Sequence, residues 1–92
     1  MKFPTTCVHA GHEKDEATGA VNVPIYATST YAYRQFGEHS GWEYSRTGNP
    51  TRSALERAVA ELEGGVDGIA FASGLAAVDA ITDLLDPGDH LV

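Results

Sequence analysis

Two helical rhythms and one continuous apolar run organise the second half of this chain, and they change where glycine and proline cluster. Between Thr51 and Glu63 the apolar residues Leu55, Ala58, Val59 and Leu62 recur at i, i+3, i+4 and i+7, which predicts an amphipathic helix. Asn49 or Thr51 is placed to cap its start, Pro50 suits the first turn and Gly64-Gly65 ends it. Arg52 with Glu56, and Arg57 with Glu61, are spaced as i,i+4 ion pairs on the face expected to meet solvent. The run Gly68-Ile69-Ala70-Phe71-Ala72 reads as a strand covered on both faces. A second helix is predicted over Leu75 to Leu85, with Val78, Ile81 and Leu85 on one side, stopping at Asp86-Pro87-Gly88. Asp89 to Val92 then opens another strand.

The first half is less regular. Residues 1–24 keep neither period and predict mostly loop, with a short helical turn around Thr6 to Ala10. Ile25 to Tyr33 is rich in β-branched and aromatic residues and predicts an extended segment. Gly37 to Asn49 carries glycine, serine, threonine and asparagine in the mixture of an irregular exposed connection. The expected organisation is an arm over residues 1–50 and the beginning of an α/β domain over 51–92. The order helix, strand, helix, strand predicts a parallel sheet, which a single crossover does not complete. The run ending at Val92 has no cap, turn or polar tail, so the expectation is a piece of a longer protein.

Composition narrows the partners. Thirteen acidic residues against six Lys and Arg give a net charge of −7, which argues against nucleic acid and anionic membrane surfaces. No stretch approaches the ~20 apolar residues that span a bilayer, and no leader-like apolar segment opens the chain, so the expected location is the cytoplasm. The single Cys7 forms no internal disulfide. Cys7, His9 and His12 lack a second ligand cluster and are not read as a metal site, and His39 and His90 stand apart from any candidate partner.

Two features carry chemistry. Ala72-Ser73-Gly74-Leu75 joins the expected strand to a helix, and free amides at a helix start, with glycine allowing close approach, suit an anion such as phosphate. Such a junction also serves as a plain helix cap. In Glu43-Tyr44-Ser45-Arg46 a phenol and a guanidinium lie two residues apart on an extended segment, a donor set that suits a phosphate dianion, although the same pair also fits a surface Arg beside an anchoring Tyr.

Together these segments resemble a known family. Tyr44-Ser45-Arg46-Thr47-Gly48-Asn49-Pro50-Thr51-Arg52, then Leu55-Glu56, Ala60 to Gly64, and Ala72-Ser73-Gly74-Leu75-Ala76-Ala77 are similar in order and spacing to the N-terminal part of the pyridoxal-phosphate enzymes of cysteine and methionine metabolism, the cystathionine gamma-lyase and gamma-synthase group. His9-Ala10-Gly11 and Val23-Pro24-Ile25-Tyr26 match that family's opening. The resemblance implies an aminotransferase-like α/β domain, pyridoxal 5'-phosphate as cofactor and an amino-acid substrate. It also implies a homotetramer whose active sites are shared between subunits. Tyr44 and Arg46 match the pair that holds the cofactor phosphate of a neighbouring subunit, and Gly74 and Leu75 match the amides that hold the phosphate of their own. Glu43 matches an acidic position that attracts the distal ammonium of cystathionine. The Schiff-base lysine is expected beyond Val92, since Lys2 and Lys14 match no such position; this polypeptide alone is expected to have no lyase activity. Rival activities within the family are O-acetylhomoserine sulfhydrylase, methionine gamma-lyase and cystathionine beta-lyase, and a rival of another class is a non-catalytic remnant or interaction piece.

Overall fold

The computed structural model describes residues 1–92, which form three helices: α1 (Phe3–His9), α2 (Pro50–Glu63) and α3 (Gly74–Thr82). The boundaries of α2 follow from local chemistry. Asn49 caps it by accepting from the Thr51 N–H at 2.8 Å, Pro50 occupies the first turn, and Gly64 closes it in the left-handed conformation at φ 68°. Ser73 caps α3 by accepting from the Ala76 N–H at 3.1 Å. That helix ends at Thr82, ahead of the proline and glycine expected to stop it. The segment before α2 is pinned to its first turn by three bonds. The Tyr26 N–H donates to the Thr51 hydroxyl at 2.8 Å, the same hydroxyl donates to the Pro24 carbonyl at 2.9 Å, and the Asn49 amide donates to the Tyr26 carbonyl at 2.9 Å.

The arm meets α2 at one tight point, where Ala10, Gly11 and Ala54 are the only buried residues of the chain. Gly11 has φ +71°, and a Cβ there would overlap the Ala54 carbonyl oxygen and the Ala58 methyl. Only glycine satisfies both the backbone conformation and the close approach. Arg57 reaches back across this junction to Glu13 at 3.4 Å, so the expected Arg57–Glu61 pair gives way to a tertiary one.

Two expectations are overturned. Residues 68–72 and 89–92 form no strand, and no sheet exists within these residues; the pairing present is confined to isolated bridges, Thr30 with Tyr44 and Gln35 with Glu38. A strand is defined by a neighbouring backbone, and here the Ala70 N–H finds the Glu56 carboxylate at 2.9 Å instead. Gly68 seats this segment on α2, since a Cβ at that position would strike the Glu56 carbonyl. The faces of α2 also depart from expectation in part: Ala58 and Leu62 are half-buried and Arg57 and Glu61 exposed as expected, but Leu55 is 57% exposed and the side chains of Arg52 and Glu56 are only 34% and 17% exposed. The charged pair turns inward because its donors and acceptors are used by backbone groups on both sides.

The molecule is flat and open, with extents of 51 × 42 × 20 Å. Its accessible surface of 7616 Å² exceeds the about 5,200 Å² expected for a compact monomer of 9.8 kDa. Its radius of gyration is 16.7 Å against about 12 Å for a compact chain of this length. Leu55, Val59, Ile69, Leu75, Val78 and Ile81 all lie open, so the apolar faces of both long helices are unfilled by this chain. No helix is long and apolar enough to cross a membrane.

Candidate functional site

The loop from Trp42 to Asn49 is built around Ser45. Its hydroxyl donates to the Thr28 carbonyl, shares a 3.1 Å hydrogen bond with the Tyr31 hydroxyl and accepts from the Asn49 amide at 3.1 Å. Its N–H donates to the Ser29 carbonyl at 2.8 Å. The Arg52 guanidinium donates to the carbonyls of Ser45 at 3.2 Å and Arg46 at 3.3 Å, and sits 3.6 Å from the Glu56 carboxylate. Residues 45–47 form a turn rather than the extended segment expected, closed by the Thr47 and Gly48 N–H groups donating to the Tyr44 carbonyl at 3.0 and 2.9 Å, and this turn brings Arg46 back over Tyr44.

The Arg46 guanidinium stacks over the Tyr44 ring at 4.9 Å and has no carboxylate partner, whereas Arg52 and Arg57 are both paired with glutamates. Arg46 lines an open cleft of about 680 Å³ together with Trp42, Glu43, Arg52, Glu56 and Asp67. A stacked, unpaired guanidinium is oriented for an anion while its own charge is unspent.

Glu43 lines the same cleft and is held in a cluster. The Tyr33 hydroxyl donates to one carboxylate oxygen, and His39 Nε2 lies 3.9 Å from the other. His39 Nδ1 accepts from the Gly41 N–H at 3.0 Å, and the His39 and Tyr33 rings are 5.6 Å apart. The hydrogen bond to Glu43 holds the Tyr33 phenol above its ordinary range, with desolvation and the carboxylate's charge adding to the effect. His39, expected to stand apart, therefore belongs to a three-residue cluster.

Gly74 and Leu75 open α3. As its first residues their N–H groups have no intrahelical acceptor, and they make no other hydrogen bond. Nothing lies within 4 Å of where a Gly74 Cβ would stand, so the start of the helix is open on that side. Leu75 and Ser73 border a separate hollow of about 530 Å³ with Val78 and Asp79. One copy of the chain thus presents Arg46 with Tyr44, and Gly74 with Leu75, at two different surfaces.

The residue pattern assigns no role to Ser45 or Tyr33, leaves His39 without a partner and places Arg52 only as the partner of Glu56. Ser45 takes its partners from Thr28, Ser29 and Tyr31, which no spacing near Ser45 announces. The Tyr33 and His39 contacts depend on the loop's path and left no local sign.

Two surfaces carry donors that no protein acceptor uses, one a guanidinium on a phenol and one a helix start, and both have the chemistry of anion binding. The family model for Cys/Met metabolism PLP-dependent enzymes matches residues 4–92, and the chain belongs to that family. It is 55% identical over 92 residues to cystathionine gamma-lyase of Bacillus subtilis (strain 168), covering 100% of this chain and 24% of that protein. It is 58% identical over 88 residues to cystathionine beta-lyase of Coxiella burnetii (strain RSA 493 / Nine Mile phase I), covering 96% and 23%. Cystathionine gamma-lyase from Lactobacillus plantarum, solved in complex with L-serine, superposes with a TM-score of 0.86 at 50% identity, covering 98% of this chain and 23% of that one. The chain spans about a quarter of the length of these relatives.

Proposed function

We propose that this chain is the arm, residues 1–50, and the opening of the cofactor domain, residues 51–92, of a pyridoxal 5'-phosphate enzyme that makes or breaks C–S bonds in sulfur amino acids, of cystathionine gamma-lyase or gamma-synthase type. The observation that carries this reading is the pair of unspent anion-binding donor sets: Arg46 on Tyr44, and the open amides of Gly74 and Leu75. The residues fit the cofactor's phosphate, because a dianion needs several converging donors and each set offers donors that no protein acceptor uses. Their separation within one chain supports a site completed between two copies in a homo-oligomer, with Tyr44 and Arg46 serving a neighbour. When bound, the cofactor supplies an electron sink for charge developing at the substrate's α carbon. This chain's own contribution is to grip the phosphate and to place Glu43 for an amino acid carrying a second ammonium group.

The relatives' names support cystathionine as the substrate class, and they divide between gamma and beta chemistry. Incubating the complete protein with cystathionine, and separately with sulfide and an activated homoserine, distinguishes cleavage from incorporation. The phosphate assignment is tested by Arg46→Ala in the complete protein. Losing a charge-assisted contact of ~1.5–3 kcal/mol raises the cofactor's Kd about 10- to 150-fold. Unchanged cofactor retention removes Arg46 from the site.

A further inference from the structure

Glu43 and Arg46 carry opposite charges and line one cleft, yet they do not pair. Two side chains hold the carboxylate elsewhere. The Tyr33 hydroxyl occupies one of its oxygens, and His39 Nε2 faces the other at 3.9 Å. The imidazole is itself oriented, because Nδ1 is taken by the Gly41 N–H at 3.0 Å, which leaves Nε2 as the nitrogen that carries hydrogen toward Glu43. The 5.6 Å ring contact between Tyr33 and His39 sets the two donors side by side. The turn that makes this possible is closed by the Arg34 N–H donating to the Glu38 carbonyl at 2.9 Å and by the Glu38 N–H donating to the Gln35 carbonyl at 3.0 Å.

We propose that Tyr33 and His39 are positioning residues for Glu43, which fix its carboxylate in the cleft, keep it off Arg46 and so determine selectivity for amino acids bearing a distal ammonium. This rests on the reading of Glu43 given above. A free glutamate at this position would fold onto the unpaired guanidinium, cancelling the charge offered to the substrate and the charge offered to phosphate together. The Tyr33 hydrogen bond to one oxygen, with the His39 ring standing 3.9 Å from the other, opposes that collapse and lowers the entropy lost when an ammonium binds.

The test uses the complete, cofactor-loaded enzyme and two ligands that share a γ-thioether: cystathionine, which has the distal ammonium, and S-ethylhomocysteine, which lacks it. Binding of each is followed through the cofactor's absorption band. Tyr33→Phe is expected to raise the ratio of the cystathionine Kd to the S-ethylhomocysteine Kd by about 3- to 10-fold, the size of one hydrogen bond to a partly solvated charge. His39→Asn keeps an acceptor for the Gly41 N–H while removing Nε2, so it decides the matter if Tyr33→Phe fails to fold, and a smaller shift in the same direction is expected. Glu43→Gln serves as the reference. If Glu43→Gln moves the ratio and neither Tyr33→Phe nor His39→Asn does, the positioning role is overturned and the reading of Glu43 stands. If Glu43→Gln leaves the ratio unmoved, both are overturned. A purely structural role weakens both ligands alike and also overturns the proposal.

Discussion

Ser45 offers the sharpest check on how the loop presents Tyr44 and Arg46. Replacing it with alanine deletes a hydroxyl that donates to the Thr28 carbonyl, pairs with the Tyr31 hydroxyl and accepts from the Asn49 amide. Each net hydrogen bond contributes about 0.5–1.5 kcal/mol. Tyr31, Ser45 and Asn49 are all half-buried, so water replaces part of what is lost, and about 2–3 kcal/mol of local stability should disappear. The Asn49 cap of α2 is loosened in the same stroke, because its amide loses one of two acceptors. Native-state hydrogen exchange on the complete protein reads this directly. The Ser45 N–H, bonded to the Ser29 carbonyl, and the Tyr31 N–H, bonded to the Glu43 carbonyl at 3.2 Å, should lose protection about 30- to 150-fold. Cofactor affinity should fall in parallel, since Tyr44 and Arg46 flank the loosened residue. Undiminished protection of both amides in Ser45→Ala would refute the view that Ser45 organises the loop.

Two further outcomes follow from the same contacts. Gly11→Ala places a methyl against the Ala54 carbonyl and forces a side chain into the left-handed region, so the arm should detach from α2 at a cost of about 2–4 kcal/mol; faster proteolysis of residues 1–24 in the complete protein is the readout. Asp15 is held below its ordinary value of 3.8, first by the Thr18 hydroxyl, against a desolvation penalty, with the Thr18 and Ala17 backbone amides helping. A depressed carboxylate stabilises the fold above the ordinary value, and that contribution fades as pH falls below about 3.8 through the lower folded value. Thr18→Val should therefore raise the Asp15 titration midpoint in an NMR pH series, and an unmoved midpoint would contradict the assignment.

Residue patterning alone established the two longer helices and their caps. The stripe at Leu55, Ala58, Val59 and Leu62, the Asn49 and Ser73 caps and the Gly64 stop are all legible because helix bonds and caps close within four residues of where they start. The unpaired amides of Gly74 and Leu75 are legible for the same reason. What only the tertiary structure decided involves groups far apart along the chain. The run at 68–72 has strand composition, yet becomes a strand only beside another backbone, and here Glu56 takes its amide. Arg57 had a local partner in Glu61 and chose Glu13, because the arm's docking at Gly11 brings that carboxylate across. The inward turn of Arg52 and Glu56, and the gathering of Tyr33 and His39 on Glu43, are likewise set by where the preceding loop passes. Local bonds depend on residue type and spacing, whereas these contacts depend on the path of the whole chain.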